Sequence, residues 1–158
     1  MKKDEKTNVM RLLDGKKISY ESHSYAQDAT LSGEEIASIL GENADRVFKT
    51  LVTVGKTGEH YVFVIPVKAE LDLKKAAKAC GEKSIAMIKQ KELLPITGYV
   101  HGGCSPIGMK KQFRTFLHET AMSFDVIFVS AGKVGFQIEI ATADLIEVAG
   151  CVVADIAG

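Results

Sequence analysis

Lys49 stands in the middle of VFKTLVTV (47–54), a run in which Val47, Lys49 and Leu51 share one strand face and Phe48, Thr50 and Val52 the other. Both faces are apolar enough for burial, a costly place for an ammonium group. Such a lysine can lay its stem on apolar surface with its head in water. Alternatively it reaches into a cleft, where it holds a carbonyl or phosphate oxygen, or acts as a base once desolvation lowers its pKa. Two loops invite the second reading. HGGCSPIGMKK (101–111) offers glycines that admit close backbone approach, a proline that stiffens the turn and N–H groups that can receive an anion or a carbonyl oxygen. SAGKVG (130–135) is a loop of the same kind, headed by Ser130.

Other chemistries fit these residues poorly. His101-x-x-Cys104 supplies two metal ligands, but the three cysteines lie 24 and 47 positions apart and form no second pair. Structural zinc sites need four ligands, usually paired at close spacing; no metal is expected. No local signature marks Cys104 as a nucleophile, and a small buried thiol is the commoner state. The loop 101–111 also lacks the G-x-x-x-x-G-K-[ST] spacing of a nucleotide-binding P-loop.

The elements that must position these groups are legible in outline. A helix is expected over 4–14, stopped by Gly15, and KISYESHSY (17–25) reads as a strand. The capping box Ser32–Glu35 opens a helix with Ile36, Ile39 and Leu40 inward and Gly41 past its end. VFKTLVTV turns through GKTGEH into YVFVIP (61–66), and Asp72 caps LKKAAKAC, ended by Gly81. SIAMI (84–88) is followed by a short helix around 90–94 closed off by Pro95 and Gly98. FRTFLHE runs from strand into helical turn; VIFVS (126–130) and FQIEI (136–140) are strands; Thr142 caps ADLIEVA, and CVVADI closes the chain. Strands and helices alternate without a βαβ rhythm, which predicts an α+β fold, one domain over 1–158, with a mixed sheet and helices packed around it.

At 158 residues and 46% hydrophobic, the chain can bury a core without disulfides or metals. It shows neither a signal-peptide run nor a span of ~20 apolar residues, so a cytoplasmic protein with reduced thiols and no membrane partner is expected. The net charge of zero hides an uneven distribution. Residues 68–114 carry ten Lys/Arg against four Asp/Glu, and 115–158 carry one lysine against six acids. A basic middle is either a solvated helix face or a patch for a phosphate backbone.

Taken together, HSY (23–25), FKTLV (48–52), GGCSPIG-KK (102–111) and VSAGKVG--IEIA-ADL (129–145) resemble the YbaK/EbsC family. These are stand-alone relatives of the editing domain inserted in bacterial prolyl-tRNA synthetases, and the resemblance runs from about residue 5 to 157. It is closest to the YbaK branch, whose members deacylate cysteine wrongly attached to proline tRNA. The resemblance implies an aminoacyl-tRNA deacylase with no cofactor, with Lys49 as the catalytic lysine and Tyr25, Thr50, Gly102, Gly103 and Ser130 as substrate-binding residues. It gives Cys104 no catalytic role, since relatives commonly carry Ile or Val there. It also implies substrate-assisted chemistry, in which the cysteine thiol attacks its own ester. On this reading Lys74, Lys75, Lys78, Lys110, Lys111 and Arg114 form a basic patch facing the acceptor end of the mischarged tRNA, and tRNA identity comes from a transient complex with prolyl-tRNA synthetase. Two rival readings are a deacylase for another small amino acid, such as alanine, on the same tRNA, and a non-catalytic regulatory binding protein of this fold.

Overall fold

YVFVI (61–65) is apolar at every position, and a strand of that kind is stable only with both faces covered. The computed structural model, which describes residues 5–158, builds the fold around it. β3 (His60–Pro66) is central in a five-stranded sheet of order β4-β2-β3-β5-β8, and Tyr61 to Ile65 are all buried. Its antiparallel neighbour β2 (Phe48–Gly55) pairs Lys49 with Ile65 and Thr50 with Val64. β4 (Ile85–Met87) closes one edge. β5 (Arg114–His118) and β8 (Cys151–Ala154) add parallel strands on the other side. A separate three-stranded antiparallel sheet has the order β1-β7-β6, formed by Tyr20–Ser24, Phe136–Ala141 and Val126–Ser130.

The expected single mixed sheet is therefore two sheets, in the α+β class as predicted. They are joined at one parallel bridge, Val47 to Phe128. Alternation along a strand shows which residues share a face, but carries no record of which strand pairs with which.

Three cores result. The first lies between the sheets, where Val52, Val62, Val64 and Leu117 meet Ile127, Val129, Ile138 and Ile140. It is closed by α1 (Asn8–Gly15) and α5 (Thr142–Ala149). The second lies on the opposite face of the large sheet, where α3 (Leu73–Cys80) covers Tyr61, Phe63, Ile65 and Phe116. A small third core joins Ala37 of α2 (Gly33–Leu40) to Val47, Val67 and Phe128.

The helix signals hold with local corrections. Ser32 and Glu35 form the reciprocal capping box, and Asp72 accepts from the N–H groups of Lys74 and Lys75 at 3.0 Å each. α1 starts at Asn8, capped by Thr7, while Asp4 lies outside the described residues. Gly15, expected to stop the helix, is its last residue, and Lys17 adopts the left-handed conformation at φ 60° two residues further on. On α2 the buried residue is Ala37, whereas Ile39 is 57% exposed, because the helix meets the body through the small third core alone. Pro95 sits inside the first turn of α4 (Leu93–Thr97), where its missing N–H costs nothing. Thr142 is the first residue of α5 rather than its cap, and its hydroxyl donates to the carbonyl of Phe124 at 2.7 Å.

Candidate active site

The bridge between the sheets brings the candidate residues together. Bridged residues of parallel strands share a level and a face, so Lys49, two residues past Val47, stands level with Ser130, two residues past Phe128. Both are half-buried. The same outward face of the small sheet carries His23 opposite Gln137, with Ser130 as the next cross-strand partner of Gln137. Tyr25 follows β1, its N–H donating to the Gly135 carbonyl at 2.9 Å.

Three loops close around this edge through glycines. A Cβ on Gly103 would lie 2.9 Å from the Val134 nitrogen, and one on Gly102 would lie 3.3 Å from the Ala29 Cα. One on Gly135 would lie 2.6 Å from Gln27 Cγ. Segments 25–29, 102–103 and 133–135 are thus in backbone contact, and Ser24, Tyr25, Gln27, Gly135 and Phe136 border a cavity of about 310 Å³. The loop 101–111 is held mainly by its own groups. The Gly103 N–H donates to the Val100 carbonyl at 2.9 Å across a turn whose third residue, Gly102, has φ +87°. The Tyr99 hydroxyl donates to the Ile107 carbonyl, the Ser105 hydroxyl accepts from the Ile107 N–H at 3.2 Å, and the Lys110 N–H donates to the Thr97 carbonyl at 2.9 Å.

These bonds sort the available donors. The Gly103 N–H is committed within its turn, so that residue shapes the wall by lacking a side chain. The Ser130 Oγ accepts from the Gly132 N–H at 3.1 Å, which leaves its hydroxyl hydrogen to donate. Thr50 points to the other face of β2 from Lys49, beside Val64, and its Oγ1 is buried with no hydrogen-bond partner. Burial pushes the Cys104 thiol up to about 12, so it remains protonated at neutral pH and packs on the first core. Burial also pushes Tyr25 up, with the charge of Glu42 adding and the Gly135 N–H opposing.

The six basic residues do not form one patch. Lys74, Lys75 and Lys78 lie on α3, over the second core, and Lys75 pairs with Asp155 at 3.1 Å. Arg114 is on that same face, donating to the Cys80 carbonyl at 3.1 Å and stacked over Tyr61 and Phe116. Lys110 and Lys111 follow the glycine loop, which packs on the opposite face of the large sheet through Tyr99 and Ile107. Proximity in sequence grouped residues that a sheet separates.

Sequence reasoning passed over a polar cluster beside Ser130: Glu42, His23, Gln137 and Glu139. The signal was present, since alternation in FQIEI (136–140) sets Gln137 and Glu139 on one face while Ile138 and Ile140 enter the core. Among the described residues, no group of three or more His, Cys, Asp or Glu is arranged to hold a metal ion, and no helix is long and apolar enough to cross a membrane.

A lysine and a serine level with each other, walled by backbone loops, suit the binding and positioning of an activated ester. The class of protein to which this arrangement belongs is the aminoacyl-tRNA editing proteins. The sequence profile of the aminoacyl-tRNA editing domain matches residues 27–148, and the chain belongs to that family. It is 51% identical over 141 residues to a protein of Enterococcus faecalis (strain ATCC 700802 / V583) provisionally named Cys-tRNA(Pro)/Cys-tRNA(Cys) deacylase EbsC, covering 89% of this chain and 86% of that one. It is 34% identical over 77 residues to the proline–tRNA ligase of Pelobacter propionicus (strain DSM 2379 / NBRC 103807 / OttBd1), covering 49% of this chain and 13% of the ligase. The fold matches, at a TM-score of 0.82 and 23% identity, a solved structure provisionally described as a trans-editing enzyme for prolyl-tRNA synthetase, covering 98% of this chain and 99% of that one.

Proposed function

We propose that this protein is a trans-editing deacylase that removes cysteine from mischarged Cys-tRNA(Pro), and that Lys49 and Ser130 hold the ester while the substrate's own thiol cleaves it. The observation that carries the reading of the site is the Val47–Phe128 bridge, which sets Lys49 level with Ser130 beside the loops of Tyr25, Gly102 and Gly103. The choice of cysteine rests on the 51% identity to the Enterococcus protein.

The chemistry is economical. Cysteine and proline are similar in size, and a synthetic site separates near-isosteres by only ~1–3 kcal/mol, so a second site must destroy the wrong product. The aminoacyl ester is already activated, and the editor's task is positioning. A free thiol with pKa about 8.5 supplies a few per cent thiolate near neutrality. The thiol loses its proton and the sulfur attacks the ester carbonyl carbon. The Lys49 ammonium and the Ser130 hydroxyl stabilise the developing oxyanion. The carbon–oxygen bond to the ribose then breaks, the ribose oxygen takes a proton, and the cyclic thiolactone is later hydrolysed by water. Tyr25 orients the aminoacyl group, and Gly102 and Gly103 shape the wall, while Thr50, turned from Lys49 toward Val64 and the first core, stays out of reach of the ester. The half-buried, protonated Cys104 has no part in this sequence of steps. The substrate is met in the cytoplasm, in a transient complex with prolyl-tRNA synthetase that supplies tRNA identity.

Two measurements test the reading. Cys-tRNA(Pro) is expected to be cleared far faster than Ser-tRNA(Pro) and Ala-tRNA(Pro); equal rates for cysteine and serine rule out thiol attack. Lys49→Ala is expected to lower deacylation roughly 10²–10³-fold, the scale of losing one oxyanion donor, with an unchanged melting transition. Undiminished activity in that variant would move the chemistry elsewhere.

A further inference from the structure

The outward face of the small sheet carries a group of oxygens for which the reaction above has no use. His23 and Gln137 are cross-strand partners, and His23 Nε2 lies 3.0 Å from Oε1 of Glu139, two residues along β7. Glu42 arrives from the end of α2, just past the left-handed Gly41, with its own N–H donating to the Ala37 carbonyl at 2.9 Å. Both carboxylate oxygens of Glu42 are sealed from solvent without a hydrogen-bond partner, and so is Oε1 of Gln137, a residue only 4% exposed. No described lysine or arginine forms an ion pair with Glu42.

Buried acceptors in native proteins are as a rule satisfied, and a buried charge is paired. Three orphaned acceptors side by side therefore point to a donor that arrives with a ligand. An aminoacyl ester brings one cationic group, its α-ammonium, with three N–H donors, as many as the orphaned oxygens. Tyr25 links the cluster to the rest of the site, since it senses the Glu42 charge and borders the neighbouring cavity.

We propose that Glu42 and Gln137 form the subsite that receives the α-ammonium of the aminoacyl ester, making the enzyme selective for aminoacyl groups with a free amine. This rests on the deacylase reading. Two accounts compete: a neutral Glu42 that donates its own proton to Gln137 Oε1, and a Gln137 amide turned so that its Nε2 donates to the Glu42 carboxylate. Burial and the charge of Glu139 push the Glu42 carboxyl up, while a hydrogen bond from the Gln137 side chain and the charge of His23 oppose that shift. An arriving ammonium would favour the carboxylate and bring both residues their missing donors.

The test compares cysteinyl-tRNA(Pro) with 3-mercaptopropionyl-tRNA(Pro), which keeps the thiol and lacks only the amine. The wild-type protein is expected to prefer the cysteinyl ester at least tenfold in kcat/KM. Glu42→Gln, which preserves shape, should lose at least tenfold on the cysteinyl ester while staying within twofold on the amine-free one. Equal losses on both esters, or no loss on either, overturn the subsite. Should Glu42→Gln fail to fold, Gln137→Met carries the same comparison. Should the wild-type protein clear neither ester, the deacylase reading falls. The subsite is then judged by calorimetric binding of 3′-cysteinylamino-3′-deoxyadenosine against its analogue without the amine, where equal affinities refute it.

Discussion

Cys104 and His118 show how burial decides what a reactive side chain does. The Cys104 thiol sits in the loop most suggestive of chemistry, yet burial holds it protonated, up to about 12, against the first core. Cys104→Ala is expected to cost roughly 1 kcal/mol of stability through poorer packing and to leave single-turnover deacylation unchanged. His118, 7% exposed at the end of β5, accepts the Ile156 N–H through Nδ1 at 3.1 Å. Burial lowers its pKa below the ordinary 6.5, and Lys75 adds to this while Asp155 and Glu119 oppose it. The unfolded chain then binds the proton more readily than the folded one. Stability is therefore full above about pH 6.5 and is lost as the pH falls through and below that value. Melting temperatures measured between pH 7.5 and 5 should fall on acidification. His118→Asn, which can keep an acceptor for Ile156, should flatten that slope.

At the scale of elements, the site is a junction of loops. Glycines at 102, 103 and 135 let three segments touch, and only Gly102 and Gly135 also need a positive φ. Gly103→Ala is accordingly a clean probe: its methyl would press on the Val134 nitrogen and separate the loop 101–111 from 133–135. Deacylation is expected to fall more than tenfold while the melting transition moves by a few degrees at most, in line with overpacking at one surface loop. Ser32→Ala supplies the contrast. It removes a cap from α2 at a cost of about 1 kcal/mol, read by denaturant titration. It should affect catalysis only through Glu42, two residues past the end of that helix.

At the scale of the whole molecule, the large sheet separates the lysines of α3 from Lys110 and Lys111, and an acceptor stem approaching one face cannot use both groups. Lys49 shares the α3 face of the large sheet through its pairing with Ile65. Gly102 and Gly103 nevertheless wall the site and Lys110 and Lys111 continue that loop, so Lys110→Glu/Lys111→Glu is expected to weaken tRNA binding and flatten its salt dependence. Lys74→Glu/Lys78→Glu should leave both near wild type. Binding curves over a range of salt concentrations decide this, since every phosphate that the protein no longer neutralises reduces the slope by about 0.7–0.9. Equal effects from the two pairs would mean that the tRNA wraps the edge of the sheet.

Local chemistry was written in the sequence. The caps at Ser32 and Asp72, the β2–β3 hairpin, the both-sided burial of YVFVI and the segregation of Lys49 from Thr50 all follow from side-chain type at helical or strand spacing. Contacts between segments far apart in the chain were another matter. The expected sheet is two sheets, and the bridge that joins them, Val47 to Phe128, sets Lys49 level with Ser130. The fold of β1 on β7 places His23 against Gln137, and the end of α2 adds Glu42 to them. Spacing along a chain constrains neighbours within a turn or a strand, because their geometry is fixed by the backbone. Which strands meet is decided by how the whole set of apolar faces is buried at once, and only the tertiary structure records that choice.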